Sequence, residues 1–326
     1  EKDYPTNVLT LARAIKPSSR SLKQHVFYDW GLGSYHNSMS VGATGRGIHK
    51  NILDGYRYII QNYGHNDKIY LFGFSRGAYT VRALCGLINN CGILKRVDAN
   101  RIAEAWDIYK SASKKNHPDG DDAVKFRSDH CHGSRKVHFV GVWDTVGALG
   151  IPFSLMGLFE SKDEFYDTKM GSNVSFARHA LAIDEQREDF QPTVWTPRPG
   201  VDLKQVWFSG VHADIGGSYK PDRDSGFVAA DTPLAWMLDE AKNAGLKIEP
   251  HIREALATSD GAKLHKSRGH VYRLKRPLHR LLEVDNKPTR IHPSVKARYI
   301  ADDSYRPPRL KSLIEDKGWD ELDLGN

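Results

Sequence analysis

The chain has 326 residues, of which 40% are hydrophobic and 27% are charged, and its mean hydropathy is −0.54. This length and composition are sufficient for one large α/β domain with a substantial core. No run of about 18 apolar residues occurs, which argues against a transmembrane helix. The three cysteines have irregular spacing and define no disulfide framework, so a reducing compartment such as the cytoplasm of the producing cell is expected.

The formal net charge of +7 is concentrated in one stretch near the C-terminus. Residues 262–282 contain no acid, and their basic residues are Lys263, Lys266, Arg268, Arg273, Lys275, Arg276 and Arg280. A solvated surface is the default interpretation, and contact of Lys263–Arg280 with anionic phospholipid headgroups is the alternative. No recognised motif supports nucleic acid as a partner. The sequence does not define an oligomeric state.

Taken in chain order, apolar periodicity predicts helices alternating with short buried strands. The helices are predicted over residues 6–15, 48–63, 78–91, 100–112, 174–189 and 231–244, and the strands over residues 25–29, 69–72, 137–143 and 205–211. Residues 113–135 are polar without a period and predict a surface insertion. This alternation is typical of an α/β fold with a mainly parallel sheet and helices on both faces.

The most informative stretch is 68–94, where an apolar strand, a sharp break and an amphipathic helix follow one another. Residues 73–77 (GFSRG) match Gly-x-Ser-x-Gly, which in this context predicts a nucleophile elbow. The glycines allow strand and helix to approach closely, and the Ser75 hydroxyl then stands at the sheet edge. The N–H of Arg76 can help to bind an oxyanion. Because the pentapeptide alone is a weak signal, a plain strand-to-helix turn is the alternative.

Two further predicted strands end near residues that fit the same chemistry, namely Asp144 and His212. In a doubly wound sheet, functional groups collect at the carboxyl ends of the strands, so we expect both near Ser75. The chain order of nucleophile, acid and base is that of an α/β-hydrolase. His212 is predicted to take the proton of the serine, and Asp144 to orient the imidazole.

The acid of this predicted triad has rivals. Asp214 lies two residues after His212, while Asp184 and Glu185 lie on the helix predicted over 174–189. Asp214 can instead accept a hydrogen bond from a nearby backbone group. Asp144 is preferred because it follows a strand of its own, and Asp214 is kept as the secondary candidate.

Two other segments carry distinctive side chains. The apolar segment 151–159 (IPFSLMGLF) predicts an inserted lid or an acyl-chain wall, with ordinary core packing as the equal alternative. Its candidate residues are Ile151, Phe153, Leu155, Met156, Leu158 and Phe159. Residues 129–132 (DHCH) resemble metal ligands, but adjacent ligands without a second cluster lack the spacing of a structural zinc site. No metal and no cofactor are therefore expected.

Several motifs together resemble one protein family. They are residues 73–79 (GFSRGAY), 141–147 (GVWDTVG) and 207–217 (WFSGVHADIGG), supported by 4–8 (YPTNV) and 179–185 (HALAIDE). These segments look like motifs of an α/β-hydrolase family of bacterial and fungal proteins that includes the phospholipase catalytic domains of type VI secretion lipase effectors. The resemblance covers roughly residues 5–245. Residues 1–245 are accordingly expected to form the catalytic domain, and residues 246–326 an extension packed on it.

The resemblance implies a function as well as a fold. It implies Ser75, Asp144 and His212 as the triad of a serine esterase that cleaves phospholipid acyl esters through an acyl-enzyme. Members usually open with a strand ending in Asp-Gly-Thr, and this sequence starts just after that point. If such a strand lies upstream, it would complete the oxyanion site; if it does not exist, activity is not expected. The alternatives are a soluble esterase or thioesterase for small acyl substrates, and a catalytically silent binding module. Delivery into another cell is expected if the chain is a secretion effector.

Overall fold

The computed structural model describes residues 4–19, 22–30, 45–146, 170–268, 276–282 and 289–324. A short antiparallel pair, β1 (Ser18–Ser19) and β2 (Leu22–Lys23), lies apart from the main sheet. The strands of the main sheet are β3 (Tyr70–Phe74), β4 (Val137–Trp143), β5 (Val174–Ala182), β6 (Asp202–Phe208) and β7 (Thr289–Ile291). They lie in the order β3-β4-β5-β6-β7, and every neighbouring pair is parallel. The predicted α/β fold with a mainly parallel sheet is confirmed.

Helices cover both faces of this sheet. In chain order they are α1 (Asn7–Ala14), α2 (Gly45–Asn62), α3 (Arg76–Cys91), α4 (Ile102–Lys110), α5 (Asp121–His130), α6 (His212–Gly216), α7 (Asp231–Asn243), α8 (Pro250–Glu254), α9 (Pro293–Ala301) and α10 (Pro308–Lys317). Helices α2 and α3 pack with Val140 and Val142 of β4 in one core cluster. Helices α1 and α7 pack with Phe139 and Trp143 in another. Because side chains alternate along a strand, β4 is buried on both sides.

Helix boundaries follow the local signals in the sequence. The Thr6 hydroxyl accepts a hydrogen bond from the Leu9 N–H at 3.4 Å and begins α1. Helix α3 ends at Cys91 and is capped by Gly92, whose φ of 77° is left-handed and whose N–H donates to the Ile88 carbonyl at 2.9 Å. The helices predicted around both residues are therefore present. In the part of the chain that the structure describes, no helix is long and apolar enough to cross a membrane.

The helix predicted over residues 174–189 is wrong, because residues 174–182 form β5 in the centre of the sheet. A central parallel strand is buried on both faces and shows no alternation of polar and apolar residues, so its pattern resembles that of a helix. Arg178 lies within this strand, and its guanidinium is buried in ion pairs with Glu240 at 2.5 Å and Asp202 at 3.0 Å.

Three smaller predictions also differ from the structure. Residues 25–29, predicted as a strand, have irregular backbone with Val26 and Phe27 more than 40% exposed. The polar segment 113–135 contains helix α5, which buries Ala123 and Phe126. Strand β6 ends at Phe208 rather than at residue 211, so His212 opens the short helix α6. Beyond residue 245, β7 extends the same sheet beside β6.

Candidate active site

Ser75 stands at the sharp turn between β3 and α3. Its φ of 57° and ψ of −123° are strained for a residue with a side chain, and such strain is typical of a nucleophile elbow. The turn depends on Gly73, because a Cβ there would lie 2.3 Å from the Gly77 carbonyl oxygen. The Ser75 N–H donates to the Trp143 carbonyl at 3.3 Å, which attaches the turn to the end of β4.

Arg76, the residue after the serine, lies at the N-terminus of α3. Arg76 is the first residue of α3, and N–H groups in the first turn of a helix have no partner within the helix. They point toward the space beyond the helix, where the positive end of the helix dipole also favours an anion. The geometry is thus suitable for an oxyanion beside Ser75.

Asp144 and His212 are in direct contact. The Nδ1 atom of His212 lies 2.7 Å from Oδ2 of Asp144, and both side chains are buried. The His212 ring also packs against the ring of Phe74, the residue before Ser75, with centroids 4.5 Å apart. Gly216 of α6 allows this approach, because a Cβ there would lie 2.0 Å from the Phe74 ring. The structure therefore brings the predicted acid, base and elbow to one end of the sheet.

Asp144 is fully buried, and its backbone φ of 39° is left-handed. Burial alone would raise the pKa of this carboxyl. The charge of Arg280 and the hydrogen bonds from His212 and Arg280 outweigh that effect and hold the pKa of Asp144 well below its usual range. The carboxylate is therefore ionised and able to stabilise a protonated imidazole.

Arg280 is a member of this site that the sequence did not reveal. Its guanidinium lies 2.7 Å and 3.1 Å from the two carboxylate oxygens of Asp144 and is buried. The sequence places it at the end of the basic stretch 263–280, where nothing distinguishes it from solvated neighbours. Its assignment to a membrane-contacting surface is wrong, since the side chain is inside the protein.

The rival acids have other partners. Asp214, the secondary candidate, accepts hydrogen bonds from the Val211 N–H at 3.0 Å and from His265, whose Nδ1 atom lies 2.7 Å away. Asp184 accepts from the Gly210 N–H at 2.6 Å. These hydrogen bonds occupy both carboxylates away from the imidazole of His212.

Glu185 contacts the backbone of His212. Its Oε2 accepts from the His212 N–H at 3.2 Å and from the Arg187 guanidinium at 2.9 Å. Burial would raise the pKa of Glu185, but the hydrogen bond and charge of Arg187 lower it overall. Glu185 thus fixes the start of α6 and leaves the His212 imidazole to Asp144.

Two predicted features fall elsewhere. The six lid or acyl-site candidates, Ile151, Phe153, Leu155, Met156, Leu158 and Phe159, lie outside the described residues. In the DHCH segment, Asp129 pairs with Lys125 at 2.8 Å and His130 with Asp98 at 2.9 Å. Among the residues that the structure describes, no three His, Cys, Asp or Glu side chains are grouped to hold a metal ion.

Comparison with known proteins identifies the family. A family model described as "T6SS, Phospholipase effector Tle1-like, catalytic domain" matches residues 1–240, which is most of the chain. The chain belongs to this family. The matched residues include Ser75, Asp144 and His212, whereas Arg280 and His265 lie beyond them.

Individual relatives are distant and longer. The uncharacterized protein YEL023C of Saccharomyces cerevisiae is 27% identical over 217 residues, which are 60% of this chain and 30% of that protein. A crystal structure of an uncharacterized protein from Pseudomonas aeruginosa is 20% identical with a TM-score of 0.34, over 64% of this chain and 29% of that one. The structure of the Tle1 effector bound to the VgrG spike of the type 6 secretion system is 19% identical with a TM-score of 0.36, over 69% of this chain and 42% of that one. The chain thus spans less than half of each relative.

Proposed function

We propose that this chain is a serine esterase that cleaves the acyl esters of phospholipids. Ser75 is the nucleophile, His212 the general base and acid, and Asp144 the residue that orients and stabilises the imidazolium. The observation that carries the proposal is the 2.7 Å contact between His212 and Asp144 beside the strained turn at Ser75. Membership of a family described as phospholipase effectors supports the choice of substrate.

The proposed reaction has two stages. His212 takes the proton of the Ser75 hydroxyl as its oxygen attacks the ester carbonyl, and the resulting oxyanion is bound by the Arg76 N–H. The imidazolium then gives its proton to the departing alcohol, a lysophospholipid, which leaves an acyl group on the serine. Water activated by His212 hydrolyses this acyl-enzyme, releases the fatty acid and restores Ser75.

We also propose that Lys263 and Lys266 bring the site to an anionic lipid surface. Both side chains are exposed. His265, which lies between them in the sequence, is hydrogen-bonded to Asp214 of α6, the helix that begins with His212, so this segment packs on α6. Positive charge near a bilayer attracts the protein to anionic headgroups.

The test of the enzymatic proposal is fatty acid release from vesicles of mixed phosphatidylethanolamine and phosphatidylglycerol. Wild type is expected to release fatty acid, whereas Ser75→Ala and His212→Ala are expected to lose the activity. Ser113→Ala, which changes an exposed serine in the segment after α4, is the control and should retain it. The same variants treated with a fluorophosphonate probe show whether the nucleophile is Ser75.

The outcomes separate the alternatives. Probe labelling and cleavage of a short-chain ester without fatty acid release would replace the phospholipase by a small-acyl esterase. Absence of both labelling and hydrolysis in folded wild type would contradict an enzymatic role and favour a binding module. If the chain is an effector delivered to other cells, wild type but not Ser75→Ala should slow the growth of bacteria that express it in the periplasm.

A further inference from the structure

We propose that Arg280 is a positioning residue of the active site, which keeps Asp144 in the orientation and charge state that His212 requires. This inference rests on the proposed function, and it gives the segment beyond the family match a supporting part in the active site. The side chain of Arg280 bonds to the carboxylate of Asp144, and Asp144 in turn bonds to His212, so the effect of Arg280 on the base is argued through Asp144.

The first support is the number of hydrogen bonds to the carboxylate. Oδ1 of Asp144 accepts from the Ala182 N–H at 3.0 Å and from Arg280 at 2.7 Å. Oδ2 accepts from His212 at 2.7 Å and from Arg280 at 3.1 Å. A carboxylate has about four acceptor sites, so all are occupied and the group cannot rotate without breaking bonds. Arg280 supplies two of these four hydrogen bonds in a bidentate arrangement that a lysine cannot reproduce.

The second support is the anchoring of Arg280 itself. Its guanidinium also donates to the carbonyl of Ala182 at 2.8 Å, at the end of β5, and to the carbonyl of Phe190. The Phe190 ring packs edge-on against the His212 ring, with centroids 4.9 Å apart. One side chain therefore fixes the acid, a strand end and a residue that contacts the base. Neutralising the charge of Asp144 would not require these additional hydrogen bonds, which instead hold the guanidinium in one position.

The third support is electrostatic. A buried carboxylate without a cation tends to take up a proton, which would remove the charge that stabilises the imidazolium. Conversely, a buried carboxylate that remains ionised without Arg280 would stabilise protonated His212 more strongly. In either case the pair of Asp144 and His212 retains a proton up to a higher pH. While that proton remains, His212 cannot take the Ser75 proton with an ionised Asp144 beside it. Arg280 thus keeps the carboxylate of Asp144 ionised beside the imidazole.

The placement in the chain supplies a consequence. The family model ends at residue 240, and Arg280 lies 40 residues beyond it, in the segment 276–282 near β7. Two arginines within the family match have other hydrogen-bond partners than Asp144. Arg82 donates to the Thr193 carbonyl, and Arg187 donates to Glu185. The extension after residue 245 is therefore expected to be necessary for activity.

The experiment compares kcat, KM and the pH profile of ester hydrolysis in wild type, Arg280→Gln, Arg280→Lys and Arg280→Ala. A soluble short-chain ester avoids any effect of lipid binding. Arg280→Gln is expected to lower kcat about 100-fold or more with little change in KM, since the acid of a triad contributes up to about 10⁴-fold. The acid limb of its profile should move up by about one pH unit, the scale of a neighbouring charge. Arg280→Lys should keep the limb near wild type while still losing kcat, and guanidinium ion should restore part of the activity of Arg280→Ala.

The matched control is Arg178→Gln, which removes another buried, doubly paired arginine that contacts Asp202 and Glu240. It should lose stability but keep the pH profile of the remaining activity. A wild-type kcat and acid limb in folded Arg280→Gln would overturn the proposal. The proposal would also be overturned if Arg280→Gln lost no more activity than Arg178→Gln when equal fractions of the two variants are unfolded, with the acid limb of the pH profile unchanged and no rescue of Arg280→Ala by guanidinium ion. Lack of Ser75-dependent hydrolysis in wild type would overturn the proposed function itself, and Ser75→Ala measured alongside makes that failure distinguishable.

Discussion

Phe74 and Trp143 are register partners in the neighbouring parallel strands β3 and β4, and each directly precedes a residue of the candidate site. Ser75 follows the first and Asp144 the second. Backbone hydrogen bonds continue the ladder past both strand ends, from the Ser75 N–H to the Trp143 carbonyl and from the Asp144 N–H to the Ala180 carbonyl. The sheet itself therefore fixes the separation of nucleophile and acid. Changes to the backbone here should affect activity as much as changes to the side chains.

The glycines of the elbow give the first prediction. A Cβ at Gly73 would lie 2.3 Å from the Gly77 carbonyl oxygen and 2.7 Å from the Ala78 Cα, both of which belong to the backbone of α3. Gly73→Ala should lower the free energy of unfolding by about 1–3 kcal/mol, the usual cost of overpacking, and should also lower kcat as the turn shifts. Chemical denaturation and ester hydrolysis measure the two effects.

Gly77→Ala is the matched control, since apart from its chain neighbours and the backbone of its own helix no atom lies within 4 Å of the Cβ that it would add. Of the two motif glycines, the close approach thus depends on Gly73. Alanine is favoured over glycine within a helix, so this variant should be as stable as wild type or more stable by up to about 1 kcal/mol. Equal destabilisation by the two substitutions would contradict the close approach of β3 and α3.

The two candidate acids give the second prediction. Asp144→Asn keeps the size of the side chain but removes the charge that faces His212, so kcat should fall about 10³–10⁴-fold. Asp214→Asn alters a carboxylate that is bonded to His265 and the Val211 N–H, and kcat should change less than about 10-fold. Circular dichroism checks that both variants are folded. If Asp214→Asn lost as much kcat as Asp144→Asn, our assignment of the acid would be reversed.

Buried His179 gives the third prediction, which concerns stability and pH. Burial lowers the pKa of His179 to about 3, and its Nε2 accepts from the Thr145 N–H at 3.2 Å. The unfolded chain binds a proton at this residue near pH 6.5, whereas the folded chain does not until about pH 3. Above pH 6.5 the stability that the neutral, buried His179 contributes is fully present. As the pH falls below 6.5 this stability is lost, and the free energy of unfolding decreases by at most about 1.4 kcal/mol per pH unit.

His179→Gln should therefore flatten the pH dependence of the free energy of unfolding between about pH 6.5 and 4.5 relative to wild type. Denaturant titrations at several pH values measure this slope. His251→Gln changes an exposed histidine in α8 and should leave the slope unaltered. An identical slope in wild type and His179→Gln would show that His179 does not remain neutral in the fold.

Much of the fold was predictable where burial leaves a clear pattern. Strand β4 has the predicted bounds Val137–Trp143, and the helix predicted to begin at Asp231 does so. The strand, turn and helix around Ser75 were predictable because an apolar strand, a glycine-bounded serine and an amphipathic helix are contiguous in sequence. Strand β5 was missed because a strand covered on both faces has no alternation, and its arginine looks like a surface residue until its ion pairs are seen.

The partners around the acid were not predictable for a different reason. Asp144 and Arg280 are 136 residues apart, and an arginine within a basic stretch carries no signal of burial. The pairing of Asp214 with His265 spans 51 residues, and no sequence pattern indicates it. Motifs identify side chains that act together only when the spacing itself is informative, whereas ion pairs between distant segments become visible only in the fold.

The exposed lysines on either side of His265 give the last prediction. The Lys263→Glu/Lys266→Glu double variant reverses two charges that flank His265, which is bound to α6. Each basic residue near an anionic bilayer contributes about 1 kcal/mol of attraction, so vesicle binding should weaken by at least about 10-fold at low salt. The difference should shrink as salt screens the charges. Co-sedimentation with phosphatidylglycerol vesicles measures it.

Lys114→Glu/Lys115→Glu is the control, because it makes the same change in net charge at two exposed lysines in the segment between α4 and α5. It should bind vesicles more tightly than the Lys263 and Lys266 double variant does. Both should hydrolyse a soluble short-chain ester at the wild-type rate, since neither alters Ser75, Asp144 or His212. Equal loss of binding in the two variants would mean that net charge alone attracts the protein to lipid, and that the surface beside α6 has no special part in it.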